Sequence, residues 1–551
     1  MANKRKRDNA PESEPVEKTE QQSTKKVKAP APTKAARASS NSSTSATPFK
    51  VGSTSPITIQ VVAGSYDRVL HGITATVTPT TTTTTTATPS KNNKKKAAAA
   101  AESKTSYKVS FADTFLFNAH ASAIRCLALS PPSAPTPGQK GGQKVLLATG
   151  ATDERINIYN ISAHPPSAKA ADDQKLLNSI TPRPVLENPK NRELGTLLHH
   201  SSNITRLVFP NRSKLLSASE DSTVAVTRVR DWALLHTFKC PIPKAQGRPS
   251  GDTAALGAVP AGVNDFAVHP SNKIMISVSK GERSMRLWNL ETGKKSRVLN
   301  FPKDVLMEIG EGKHSTGEAR RIVWGEDEFA VTFDRDVLVF GMDCRPRCRV
   351  MREDVVGTKM TKVHEIKYVS LGKEEGQEEE KHVLAVATED GRILFFDTAE
   401  SELVEPPAPK EEEEQQQQQH KTKLFEAKTP NAKLVAQLGG KTAGVSGRIK
   451  DFTILPVEDE ESGKRSWFVA SAGSDGRIRI WRLESGDLRV GKEEEGVKTG
   501  RQVGELLGTY ETENRITCLG AFVMIPRPEG SVESEYEFDS EESEDEESDD
   551  E

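Results

Sequence analysis

Five aspartates, Asp153, Asp221, Asp334, Asp390 and Asp475, are the residues of this chain that first invite a catalytic reading. Two carboxylates can divide acid and base roles when they share a site. Here the spacing argues against sharing. An Asp stands six residues before Tyr159, Thr227, Phe340, Phe396 and Trp481, each time inside the same local phrase. The one complete phrase without it has Gly281 seven residues before Trp288. A carboxylate met once per repeated unit fixes a turn in that unit by accepting backbone hydrogen bonds. No Ser–His–Asp or Cys–His group is arranged for nucleophilic chemistry, so no catalytic residue is assigned and the chain reads as a non-enzyme.

Two further patterns fail as sites. Gly439-Gly440-Lys441-Thr442 looks like the end of a phosphate loop, but that motif needs Gly at 435, where Val435 stands, and a helix afterwards. Cys344 and Cys348 would need two more ligands at metal-site spacing to hold zinc, and none stand there. No cofactor and no metal is expected. Five scattered cysteines also exclude a disulfide framework.

The element that positions the aspartates is written most plainly at Phe468–Leu483, FVASAGSDGRIRIWRL. An apolar run reaches small residues, Asp475-Gly476 marks a tight turn, and Arg477–Ile480 alternate outward and inward. Asp-Gly between two such runs is a hairpin signal. The phrase recurs in six complete passes of four strands, from Ile124 to Tyr510. Four strands per unit, an Asp turn and an aromatic closing the third strand mark a β-propeller blade. Strands Ile57–Val62, Val69–Val77 and Tyr107–Phe117 from the N-terminal side, with Ile516–Ile525 from the C-terminal side, complete one more blade. The expected fold is therefore all-β, a seven-bladed propeller over residues 57–525, closed by both ends of the chain so that no sheet edge is left open at the closure.

Around the ring, composition predicts disordered segments: a basic extension over 1–56, an acidic tail over 526–551, and low-complexity inserts at about 78–106, 131–143, 162–192, 240–261, 371–381, 400–432 and 487–501. Residues 529–551 hold 14 acidic residues and no Lys or Arg against a net charge of −2 for the whole chain, so residues 1–528 carry about +12. A basic body suits a phosphate-rich partner. Lys4-Arg5-Lys6-Arg7 and Lys25, Lys26 and Lys28 read as nuclear import signals. Ser540, Ser543 and Ser548 precede acidic residues and are candidate phosphorylation sites for an acid-directed kinase. No apolar run reaches the roughly 20 residues of a membrane span, and the N-terminus lacks an apolar signal core, so a soluble intracellular protein without membrane contact is expected.

The ordered succession of Gly64-Ser65-Tyr66, Asp153–Tyr159, Glu193–His200, Leu215–Asp221, Asp231-Trp232, Val263–Pro270 and Arg286–Leu290 resembles the PAK-inhibitor-like, maintenance-of-killer family of WD40-repeat proteins. The resemblance covers nearly the whole ring and leaves out the inserts and tails. It implies a WD40 propeller in which His120 and His200 bond the hairpin Asp of their blades, and in which Asp153, Asp221, Asp334, Asp390, Asp475, Trp288 and Trp481 are structural. It implies a nuclear and nucleolar scaffold for assembly of the large (60S) ribosomal subunit, a monomer within a larger complex, with pre-60S proteins and rRNA as partners. The alternative it implies is an adaptor that binds and restrains a p21-activated kinase. A cullin-ligase substrate receptor fits less well, because Trp288 is followed by Asn-Leu-Glu and Trp481 by Arg-Leu-Glu, where such receptors carry Asp-x-Arg.

Strand alternation assigns six of the seven inserts to one face, leaving only 240–261 on the other. On that barer face Arg68, Arg155, Arg283, Arg335, Arg392 and Arg477 all lie in or just after the hairpin between second and third strands. A ring of guanidinium groups there would hold phosphates or an acidic segment. Changing Arg155, Arg392 and Arg477 together to Glu is expected to weaken docking without unfolding the ring.

Overall fold

A computed structural model describes residues 48–52, 55–83, 103–135, 142–166, 185–242, 261–312, 315–352, 356, 361–373, 380–405, 429–461, 463–489 and 500–527. They form seven sheets, each built on a meander of four antiparallel strands. The inner strands of blades 1 to 7 are Ile124–Leu129, Ile204–Asn211, Val263–Val268, Arg321–Trp324, Val363–Lys373, Ile449–Asp459 and Ile516–Val523. Each packs beside the next, and the seventh packs beside the first, so the ring is closed. The seventh blade pairs Ile516–Val523 with Ile57–Ser65, then Val69–Thr83, then Ser103–Asn118, joining the two ends of the chain as the sequence predicts.

The core is not inside any blade but between blades. Seven apolar clusters occupy the seven blade-to-blade interfaces. Between blades 5 and 6, for example, Phe395, Leu438, Phe452, Trp467 and Leu483 are fully covered. Each such side chain contributes roughly 1.5–3 kcal/mol on burial. A single blade would leave both faces wet, so the ring is the smallest unit that satisfies the pattern.

Several inserts are shorter than composition implied. The Thr-rich stretch stays in the strand to Thr83, which pairs with Ser103, because Thr is β-branched and fits a pleated surface. Lys373 likewise pairs with Glu380. Within the stretch read as an N-terminal extension, Phe49–Val51 forms a strand parallel to Val457–Asp459 of blade 6. Connections between third and outer strands also return to cover the preceding blade's outer edge. Asn431 bridges Arg349 on blade 4, Arg501-Gln502 pairs with Ala436-Gln437 on blade 5, and Val185 bridges Asp113 on blade 7. Backbone groups on these edges thereby gain partners they would otherwise find only in water. The barer face is also less bare than expected. The 301–320 connection on it contains the helix Lys303–Glu308, whose Leu306 joins the core between blades 3 and 4.

Candidate interaction face

The tight turn between second and third strands needs a carboxylate to gather its free N–H groups. In blade 1, Asp153 accepts from the backbone of Ala121 (3.1 Å) and Arg155 (3.2 Å) and from His120 Nδ1 (3.1 Å). The other ring nitrogen of His120 lies 2.8 Å from the Thr149 hydroxyl. Burial pushes the His120 pKa down against the pull of Asp153. A neutral ring donating at Nδ1 accepts the Thr149 proton at Nε2, so both nitrogens are used. Blade 2 repeats this with His200, Asp221 and Ser217 at 3.0 and 2.8 Å. Burial pushes the Asp221 pKa up, but hydrogen bonds from His200 and Thr223 outweigh it and hold the carboxyl at about 2. These two histidines stand where the family resemblance implies.

Blades 3 and 6 solve the same problem differently. Asp475 is held by Arg479 at 2.8 Å, and Trp481 Nε1 donates to Ser471 at 3.1 Å. In blade 3, Trp288 Nε1 donates to Ser277 at 2.8 Å, and Arg286 grips Glu282 through both carboxylate oxygens. Glu282 is the residue six before Trp288, so the interval that breaks at Gly281 when read with Asp is kept with Glu. The signal was present: a carboxylate at that interval, and an Arg two before each Trp. In blade 5 Asp390 holds Arg392 Nε at 2.7 Å, and in blade 4 Asp334 meets Arg320 at 2.8 Å and Lys362 at 3.5 Å. Every one of these carboxylates is engaged within its own turn or its neighbours, and no two converge.

The six rim arginines divide. Arg68, Arg155, Arg335 and Arg477 are exposed. Arg335 lies 3.7 Å from Asp334, and Arg477 pairs with Glu511 at 2.6 Å on the surface. Arg283, although exposed, donates to the carbonyls of Gly312, Ser315 and Thr316 and is committed to them. Arg392 is nearly buried against Asp390 and also reaches Gln437. The expected ring of six equivalent cations is thus four, and replacing Arg392 would disturb the hairpin frame as well as the surface. The import clusters at Lys4–Arg7 and Lys25, Lys26 and Lys28, and Ser540, Ser543 and Ser548, lie outside the described residues.

Down the axis, charge is paired. Arg206 of blade 2 reaches across to Glu365 of blade 5 at 3.3 Å, and also meets Asp265 of blade 3 at 3.3 Å. Only side chains aimed into the channel can join blades 2 and 5. Lys367 and Asp451 add a pair at 3.7 Å. Burial pushes the Glu365 pKa up, and the guanidiniums of Arg206 and Arg321 pull it below its ordinary range. Asp265 accepts the backbone N–H of Ile322 at 3.1 Å, and Asp451 that of Leu519 at 2.9 Å, so these two carboxylates also stitch blade 3 to blade 4 and blade 6 to blade 7.

Comparison with known proteins agrees with this architecture. The model of the WD domain, G-beta repeat, matches residues 191–226, which span the His200–Asp221 unit. The chain is 28% identical over 427 residues to protein MAK11 of Saccharomyces cerevisiae, covering 74% of each chain. It is 23% identical over 417 residues to the p21-activated protein kinase-interacting protein 1-like protein of Xenopus laevis, covering 75% of this chain and 76% of that one. The Gallus gallus protein of that name is 20% identical over 381 residues and 68% of each chain. With the motif order and the closed ring of seven blades, these likenesses show a seven-bladed WD40-repeat propeller similar to MAK11 and to the p21-activated protein kinase-interacting protein 1-like proteins.

Proposed function

We propose that the protein is a non-catalytic scaffold in nucleolar assembly of the large (60S) ribosomal subunit, docking pre-ribosomal protein and rRNA through the hairpin face of its propeller. The observation that carries this reading is the extent of the likeness to MAK11, about three quarters of both chains, which takes in the ring rather than a single repeat. The motif order along that ring resembles a family of 60S assembly factors. A face whose carboxylates are committed to turns, with exposed arginines between them, suits holding an anionic particle better than turning over a small substrate.

A second reading has its own support. The Xenopus laevis and Gallus gallus relatives bear the name of p21-activated protein kinase-interacting proteins, and an adaptor that restrains such a kinase would use the same face. Sedimentation of the tagged full-length protein separates the two. Comigration with pre-60S particles and precursor rRNA in the nuclear fraction is the expected result. A pool that sediments free of particles, or bound to a kinase alone, overturns the first reading.

A further inference from the structure

The inner strands enter the ring in a common register. A buried residue comes first: Ile124, Ile204, Val263, Ala319, Val363, Ile449 and Ile516 in blades 1 to 7. The next residue bulges out of the ladder in six blades, where strand pairing skips it. A bulge re-aims a side chain. The seven residues so placed, at the mouth of the channel on the hairpin face, are Arg125, Thr205, Asn264, Arg320, His364, Lys450 and Thr517.

Three of them have a structural task. Thr205 donates to the Val263 carbonyl, Asn264 to the Ala319 carbonyl and Thr517 to the Ile124 carbonyl, each binding its blade to the next. The other four are basic or titratable and do not make that bond. Among the described residues, the side chains of Arg125 and Lys450 make no hydrogen bond or ion pair, although the Glu220 carboxylate feels the charge of Arg125. Immediately before the buried first residue, on blades 5 to 7, stand Lys362, Arg448 and Arg515. Across both positions of all seven blades the only carboxylate is Glu318. Asp334 and Glu389 on neighbouring hairpins neutralise part of the arc by pairing with Arg320, Lys362 and Arg448. Burial, with Arg448 and Arg515 nearby, pushes the Lys450 pKa down. Like charges held this close are relieved by a bound anion.

An exposed aromatic borders the arc. Tyr66, on the hairpin of blade 7, is 59% exposed, and the Arg515 guanidinium lies 5.6 Å from its ring centroid. Cations that track a backbone beside a ring on which a base can stack are what a single strand of nucleic acid requires. We infer that the arc from Arg320 through Lys362, Lys450 and Arg515 to Arg125, with Tyr66, is a binding site for single-stranded RNA. The last described residues of the chain run down the seventh inner strand to the opposite face, where the Ile525 backbone donates to the Ala163 carbonyl at 2.8 Å and Arg527 to that of Pro165 at 2.7 Å. This inference rests on the reading that the protein works inside an RNA-containing particle, and it deepens that reading by naming the ligand and the residues.

The test uses the full-length protein and a fluorescently labelled oligouridine of about 15 nucleotides. Anisotropy is read between about 50 and 200 mM salt. The combined Arg125→Glu and Lys450→Glu variant is expected to weaken binding at least about tenfold at low salt and to flatten the salt slope by about 1.4, at about 0.7 per lost phosphate contact. Tyr66→Ala should lower affinity for the oligouridine while leaving any binding of an oligoglutamate of equal length unchanged. Since Lys450 is half-buried, Arg125→Glu alone serves if the double variant misfolds, with a loss of about threefold. Wild-type affinity in the folded variant, or tighter binding of oligoglutamate than of oligouridine, overturns the inference. Loss of oligouridine binding is read apart from sedimentation: a wild type that ignores RNA yet comigrates with pre-60S particles removes this site and keeps the scaffold.

Discussion

Blades 1 and 2 hold the hairpin carboxylate with a histidine from the connection before the inner strand. Blades 3 and 6 hold it with an arginine from the third strand, four residues after the carboxylate itself. The second-strand hydroxyl is common to both. Thr149 and Ser217 meet a histidine ring, whereas Ser277 and Ser471 meet an indole N–H. The blades with histidine lack the tryptophan, having Tyr159 and Thr227 in its place, and the blades with tryptophan lack the histidine. The carboxylate and the hydroxyl are therefore the constant parts, because the turn N–H groups and the second strand are there in every blade. Their partners are exchangeable provided each buried polar atom finds one. The exchange has a consequence: a histidine link joins two separate chain segments and can titrate, whereas an arginine link is local and stays charged.

The largest effect should come from breaking an arginine link. Arg286 is 8% exposed and Glu282 12%. Removing one member of such a pair leaves the other charge uncompensated, which costs about 3–5 kcal/mol. Arg286→Ala should therefore lower the urea midpoint by an amount equivalent to about 3 kcal/mol. Restoring neutrality with Glu282→Gln in the same chain should recover much of it. A loss below about 0.5 kcal/mol, the range of ordinary surface changes, would show that the arginine does not replace the histidine.

That link was also the least legible part of the sequence. The fold was readable because Asp, aromatic and alternation recur at constant spacing, and because seven blades need the first three strands and the last one to be complete. An interval defined on Asp alone does not reveal Glu282. The rim arginines were readable as positions but not as contacts: nothing in the sequence tells Arg392, packed on Asp390, from Arg155, which faces water. The basic residues at the channel mouth escaped for a different reason. Arg125 and Lys450 stand in strands that read as alternating, and alternation hides a bulge, which turns one residue out of phase. The edge-covering pairs at Asn431 and Arg501 escaped because one or two residues of strand carry no period.

The histidine link predicts a pH dependence of intermediate size. The Asp221 carboxyl is held at about 2 in the folded protein against an ordinary value near 3.9. A depressed folded value contributes stability that is fully present above the ordinary value and is lost as pH falls toward 2. The contribution is about 2 kcal/mol. Denaturation of the wild type and of Asp221→Asn, followed from pH 6 downward, should show a gap of about that size which closes as the pH approaches 2. A gap independent of pH would mean that the stabilisation of the turn is not that of an ionised carboxylate.

The smallest expected effect compares two arginines that sequence alone makes equivalent. Arg155 is exposed, and among the described residues its guanidinium has no carboxylate partner; Arg392 is 12% exposed and lies against Asp390. Arg155→Ala should change stability by less than about 0.5 kcal/mol, as surface substitutions do. Arg392→Ala removes one partner of a mostly covered carboxylate that Thr388 still serves, and a contact to Gln437, so about 1 kcal/mol is expected. Urea midpoints of the two single variants measure the difference. Should Arg155 prove as costly as Arg392, the rim arginines would all be parts of the turn frame. The four exposed ones would then no longer be a surface set apart for a partner.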